Sequence, residues 1–136
     1  MSAKEDPILW LLDTHVLIWY FTGNKRLSEE MRNLIDQVRL EGGRLLVPTI
    51  VLAEALNVAA KGRVVFDFNQ LHQLIRDEPE FEIVDFGAAV FDETLRVLGM
   101  SEIHDRIIVA TARFYGAGLL TADGVINSSS TVVDTL

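Results

Sequence analysis

Charge is missing from three long stretches of this chain, and each stretch contains a single carboxylate. From Pro7 to Asn24 the only Asp, Glu, Lys or Arg is Asp13; from Leu45 to Ala60 it is Glu54; from Phe114 to Val133 it is Asp123. These windows cover 54 residues with three charges, while the remaining 82 residues hold 29. Sequence this poor in charge belongs in a core. A chain of 136 residues, 49% of them hydrophobic, buries about two-thirds of its unfolded surface as one domain, here spanning 1–136. It has no cysteine, which excludes a disulfide framework, a thiolate metal site and a cysteine nucleophile.

The apolar runs alternate in type along the chain. Ile8 to Leu12 reads as a central strand covered on both faces, and Asp13 with Thr14 opens a helix through Phe21. Ser28 caps a second helix, with Met31, Leu34, Ile35 and Val38 at helical spacing until Gly42 and Gly43. Arg44 to Val47 predicts a strand, Pro48 and Thr49 lead into a helix to about Ala60, and Gly62 ends it. Asp67 caps the next helix, and Phe81 to Phe86 reads as a third strand with Phe81, Ile83 and Asp85 on one side. Ala88 to Leu98 is amphipathic up to Gly99. Ile103 to Tyr115 is a helix whose uncharged middle, Ile107 to Ala112, belongs deep in the domain. Leu119 to Thr121 and Val132 to Asp134 complete the strands. Strands alternating with helices predict a layered α/β domain with a mainly parallel sheet.

The formal charge of −8 argues against a broad electrostatic grip on nucleic acid or on an anionic membrane. Any phosphate contact must therefore be local or bridged by metal. The longest apolar tract is too short to span a bilayer and carries Asp13 at its middle, while Glu5 and Asp6 are unlike the basic head of a signal peptide. The expectation is a cytoplasmic protein with no membrane contact. Residues 77–93 hold seven acids and no Lys or Arg, which fits a solvated face or a docking surface for a basic partner.

An ionised carboxylate buried without a partner costs several kcal/mol, so each lone acid must be matched, protonated or hydrogen-bonded. Glu54 has no local cation, because its helical neighbours Ile50, Val51, Asn57 and Val58 are uncharged. Asp13 and Asp123 each follow an apolar strand, in LLD and LLTAD, and strand carboxyl ends of a parallel sheet share one edge. Asp105 stands at the start of the 103–115 helix, whose amino end points to that edge in a right-handed crossover. Structural roles stay open: Asp13 as a helix cap, Asp123 as a turn residue, Asp105 as a first-turn acid complementing the helix dipole. Clustered acids repel one another unless a hard divalent cation sits between them, and Mg²⁺ or Mn²⁺ suits an all-oxygen set. That ion would reverse the sign of the site and activate a water against phosphorus.

LLDTHVLIW near the start, VLAE in the first half, HDRIIVATA late and LLTAD near the end resemble, in that order, the PIN-domain ribonucleases. Within them the chain is similar to the VapC-type toxins of toxin–antitoxin pairs. The resemblance covers nearly the whole chain. It implies a three-layer α/β/α sandwich with a central parallel sheet of about five strands, and a Mg²⁺- or Mn²⁺-dependent endoribonuclease leaving a 5′-phosphate and a 3′-hydroxyl. By motif match Asp13, Glu54, Asp105 and Asp123 would be both metal ligands and catalytic acids. Thr121 and Thr14 would support them. Arg106 would pair with a carboxylate or contact phosphate, with Lys25, Arg26, Lys61 and Arg63 as further phosphate contacts. His15 reads as a partly buried structural histidine, and Trp10, Trp19 and Phe21 as packing residues. The resemblance also implies an RNA substrate, an antitoxin partner and a homodimer. Some relatives carry a further acid after the position of Asp123, where this chain has Gly124 to Ser128, which weakens a second metal position.

Three other functions compete with this one. A phosphatase using an aspartate nucleophile would need a second acid where His15 stands. A PIN-like module that binds without cutting, and a housekeeping RNA-processing nuclease, would share the same motifs.

Overall fold

The computed structural model describes residues 8–122 and 124–126. Strand β1 (Leu9–Leu12) leads into α1 (Thr14–Thr22) and α2 (Glu29–Leu40), then β2 (Arg44–Pro48), α3 (Thr49–Lys61) and α4 (Phe68–Asp77). After β3 (Phe81–Val84) come α5 (Ala88–Thr94), α6 (Ile103–Tyr115), β4 (Gly118–Thr121) and β5 (Gly124–Ile126). The sheet order is β3-β2-β1-β4-β5. The first four strands are parallel, and β5 runs antiparallel to β4 at the edge. Helices pack on both faces, giving a three-layer α/β/α sandwich. Right-handed crossovers put α1 to α4 on one face, because β1, β2 and β3 advance in one direction, and put α5 and α6 on the other, because β4 lies back beyond β1.

Local chemistry explains the helix ends. Ser28 Oγ accepts the Met31 amide at 3.1 Å, and Asp67 Oδ1 accepts those of Asn69 and Gln70. α3 stops at Gly62, whose φ of 72° is left-handed and favours glycine. β1, β2 and β4 carry the core: Leu11, Leu12, Leu45, Leu46, Leu119 and Leu120 are buried, each worth about 1.5–3 kcal/mol relative to exposure. Residues 107–112 of α6 are all buried against them, as their lack of charge predicts.

The structure refines four of these readings. Phe81 and Ile83 lie on one side of β3 as strand alternation requires, but that side is covered only at Phe81: Phe81 and Val84 are buried while Glu82, Ile83 and Asp85 are exposed, since β3 is an edge strand. α5 stops at Thr94, short of Leu98, and leaves Leu95 and Leu98 exposed. The stretch after Asp123 forms β5, which the sequence reading does not include and which pairs antiparallel with its sequence neighbour β4, Thr121 opposite Gly124 and Leu119 opposite Ile126. His15 is exposed, its ring 5.7 Å from that of Trp19. The strand expected at Val132–Asp134 lies outside the described residues.

The acidic stretch 77–93 is tied down from within. Arg39 reaches Glu78 at 2.8 Å and Glu80 at 3.3 Å, Arg44 reaches Glu82 at 3.4 Å, and Arg96 and Arg113 reach Glu93 at 2.9 and 3.4 Å. Four of its seven acids thus meet arginines of the same chain, which lowers the charge left for a basic partner.

Candidate metal centre

The strand order reverses beside β1: the chain leaves β1 toward β2 on one side and returns to β4 on the other. Ligand crevices of open α/β sheets form at such a switch point, outside the carboxyl ends of the strands. Asp13 occupies that position. Its amide donates to Leu120 O of β4 at 2.9 Å, and its Oδ1 accepts the Thr14 amide at 2.7 Å as the cap of α1. The cap reading and the crevice reading of Asp13 are therefore compatible.

Glu54 arrives from the second turn of α3, which follows the neighbouring parallel strand β2 and so begins at the same edge. Its counter-partners are distant in sequence, as its local surroundings require. The buried Thr14 hydroxyl donates to Glu54 Oε1 at 2.7 Å. His104, in the first turn of α6, brings Nε2 to 2.8 Å from the same oxygen and to 3.7 Å from Asp13 Oδ1. Neither approach is a well-formed hydrogen bond: Nε2 is buried without a partner of hydrogen-bond geometry, and 3.7 Å is too long for one. Donor atoms of Asp13, Glu54 and His104 all lie within 4.8 Å of one another. Their side chains are 21%, 36% and 21% exposed, so the group is open to a small ion yet partly desolvated.

The electrostatics are those of crowded acids around one imidazole. His104 is raised above its ordinary value by the contact with Asp13 first and by the charge of Glu54, against burial. Asp105 is also raised, by burial first and then by the charges of Glu102 and Asp13, with His104 opposing. Asp105 and Asp13 line one cleft of about 110 Å³ with Met100, Ile108, Val109, Leu119 and Thr121. The orphaned Nε2 beside two carboxylates fits a divalent cation, whose ligands need no hydrogen atom between them.

The structure thus brings Asp13 and Glu54 into one cluster and places Asp105 and Thr121 on the adjoining cleft. Asp123 lies outside the described residues. Arg106 turns away: its Nη2 donates to Thr94 O at 3.1 Å, fastening α6 to α5. Lys61 and Arg63 are exposed at the far end of α3. Arg26 lies nearer, lining a second cleft of about 240 Å³ with Trp19, Ser28 and Thr121. His104 is the residue that reading the sequence missed. Its signal was adjacency to Asp105 on a helix that starts at the crevice edge.

No functionally curated protein matches the sequence. Among solved structures the chain is similar in fold to a chain in the crystal structure of VapBC2 from Rickettsia felis bound to a DNA fragment from their promoter. The TM-score is 0.62 and the identity 19%, over 84% of this chain and 87% of that one. The PIN domain profile matches residues 10–128, which takes in the described strands and helices from Trp10 onward, so the chain belongs to the PIN domain family.

Proposed function

We propose that this protein is a metal-dependent endoribonuclease and the toxin of a toxin–antitoxin pair. The observation that carries this reading is the meeting of Asp13 and Glu54, 41 residues apart in sequence, with His104 at the switch point of the sheet. Asp13, Glu54, Asp105 and Asp123 are proposed to hold Mg²⁺ or Mn²⁺. When bound, such an ion supplies positive charge for a phosphodiester oxygen and activates a water for attack on phosphorus. Thr14 holds Glu54 in place through its buried hydroxyl. Asp13 is fixed by its backbone bond to β4 and its cap of α1, so its carboxylate keeps one orientation at the mouth of the cleft. Thr121 separates the two clefts, and Arg26 beside it is placed for a neighbouring phosphate of the RNA strand.

The VapBC2 chain was solved as part of a complex, and its likeness in fold supports an antitoxin as partner. Exposed Phe91, Leu95, Leu98 and Ile103 on and after α5 give apolar surface for that partner or for a second copy. Among the described residues no helix is long and apolar enough to cross a membrane, in keeping with the proposed cytoplasmic location.

The test is cleavage of a structured RNA by the purified chain in Mg²⁺ or Mn²⁺, with EDTA and Asp13→Asn as controls. Cleavage lost in both controls supports the reading. Cleavage that survives both, or none by the wild type with either ion, overturns it.

A further inference from the structure

An all-carboxylate centre would be a hard-oxygen site, but the third donor in this cluster is a nitrogen. We infer that His104 binds the metal through Nε2, making a mixed carboxylate–imidazole centre that prefers Mn²⁺ to Mg²⁺. This rests on the metal-dependent reading above.

The donor spacing supports it. Ligands at about 2.1 Å in octahedral array leave adjacent donors about 3.0 Å apart and opposite donors about 4.2 Å apart. His104 Nε2 is 2.8 Å from Glu54 Oε1 and 3.7 Å from Asp13 Oδ1, which falls close to that range. Apart from its approach to these two carboxylates, the nitrogen has no hydrogen-bond partner among the described residues. It is buried, and buried polar atoms in native proteins are almost always satisfied. The backbone fixes its position, since His104 sits within the first turn of α6, anchored by the Asp105 amide donating to Glu102 Oε1 at 2.8 Å and by the buried stretch that follows. Imidazole nitrogen is a poor exchange for water on Mg²⁺, which dehydrates reluctantly and keeps its oxygen shell, while Mn²⁺ also favours oxygen but, as a first-row transition ion, gains more from one nitrogen donor than Mg²⁺ does.

Pulsed electron paramagnetic resonance on the Mn²⁺-loaded chain reads the ligand directly, with no need for turnover. The expected result is ¹⁴N coupling of a bound imidazole in the wild type and in His15→Gln, and its loss in His104→Gln. Titration should show Mn²⁺ affinity falling in His104→Gln by at least about 10- to 100-fold, the range seen when only an outer partner of a ligand is removed. Mg²⁺ affinity should change little. Wild type that binds Mn²⁺ without ¹⁴N coupling overturns the inference and leaves the nuclease reading standing. Coupling that disappears in His15→Gln instead also overturns it. Wild type that binds no Mn²⁺ at millimolar concentration overturns both. Because the spectrum of the wild type decides the matter, a variant that fails to fold does not protect the claim.

Discussion

Thr14 shows how one buried hydroxyl ties fold to site. It is almost fully buried, and its donation to Glu54 at 2.7 Å joins the start of α1 to the second turn of α3. Replacing Thr14 with Val keeps the shape and removes the donor, so stability should fall by about 1 kcal/mol. RNA cleavage should fall further, by roughly 10-fold or more, because a loosened Glu54 samples orientations outside the cluster. Denaturant unfolding in EDTA and single-turnover cleavage separate the two effects. Equal rates for Thr14→Val and wild type would show that Glu54 is held by other contacts. His104 and Asp105 predict a pH effect in metal-free protein. Both pKa values are raised on folding, so both groups bind protons more tightly in the folded chain. The contribution of His104 is complete below its unfolded value of about 6.5 and is lost as pH rises through the folded value; that of Asp105 is lost over a lower window in the same direction. In EDTA the melting temperature of the wild type should therefore fall, relative to His104→Gln, as pH rises above about 6.5. Parallel curves would refute the prediction.

At the scale of elements, β1 and β4 meet through an indole and a hydrogen atom. Trp10 pairs with Gly118 across the sheet, and a Cβ at 118 would collide with the Trp10 ring. Gly118→Ala should cost about 1–3 kcal/mol through overpacking, read as a lower denaturant midpoint with an unchanged slope. An unchanged midpoint would mean that Trp10 moves aside freely. The same elements show what local sequence encodes. β1, β2, α3 and α6 were legible because uncharged runs, caps and terminating glycines coincide at their ends. Asp13 and Glu54 stood out because charge is absent around them, and the parallel topology then forced them to one edge. β5 was not legible, since a three-residue edge strand before a serine run owes its existence to β4. His104 was hidden for the opposite reason: it lies among Glu102, Asp105 and Arg106, where a polar residue draws no notice, and only the crossover from β3 to β4 delivers it to the crevice. The role of Arg106 was open in sequence because a guanidinium that fastens α5 to α6 and one that meets phosphate look alike until its carbonyl partner is seen.

As the proposed ribonuclease, the whole molecule would have to bring RNA to an acidic body. A net charge of −8 argues against a broad electrostatic grip on many phosphates, and arginines 39, 44, 96 and 113 are engaged with the protein's own glutamates. Positive charge near the proposed site would then come from the proposed ion at the switch point and from Arg26 by the second cleft, with Lys25, Lys61, Arg63 and Arg76 as further exposed bases among the described residues. Binding should depend on the ion and should be only mildly weakened by salt. With about two or three phosphates neutralised, log K against log salt should fall with a slope near −2, at about −0.7 per phosphate for a single strand. Stopped-flow anisotropy with labelled RNA, read before turnover in roughly 50 to 300 mM salt at fixed Mn²⁺, measures that slope. EDTA should abolish most of the binding, and Arg26→Ala should reduce the slope by roughly one contact. A slope steeper than about −5 that persists in EDTA would reveal an extended cationic surface, and the acidic body would then be guided to RNA by something other than its metal centre.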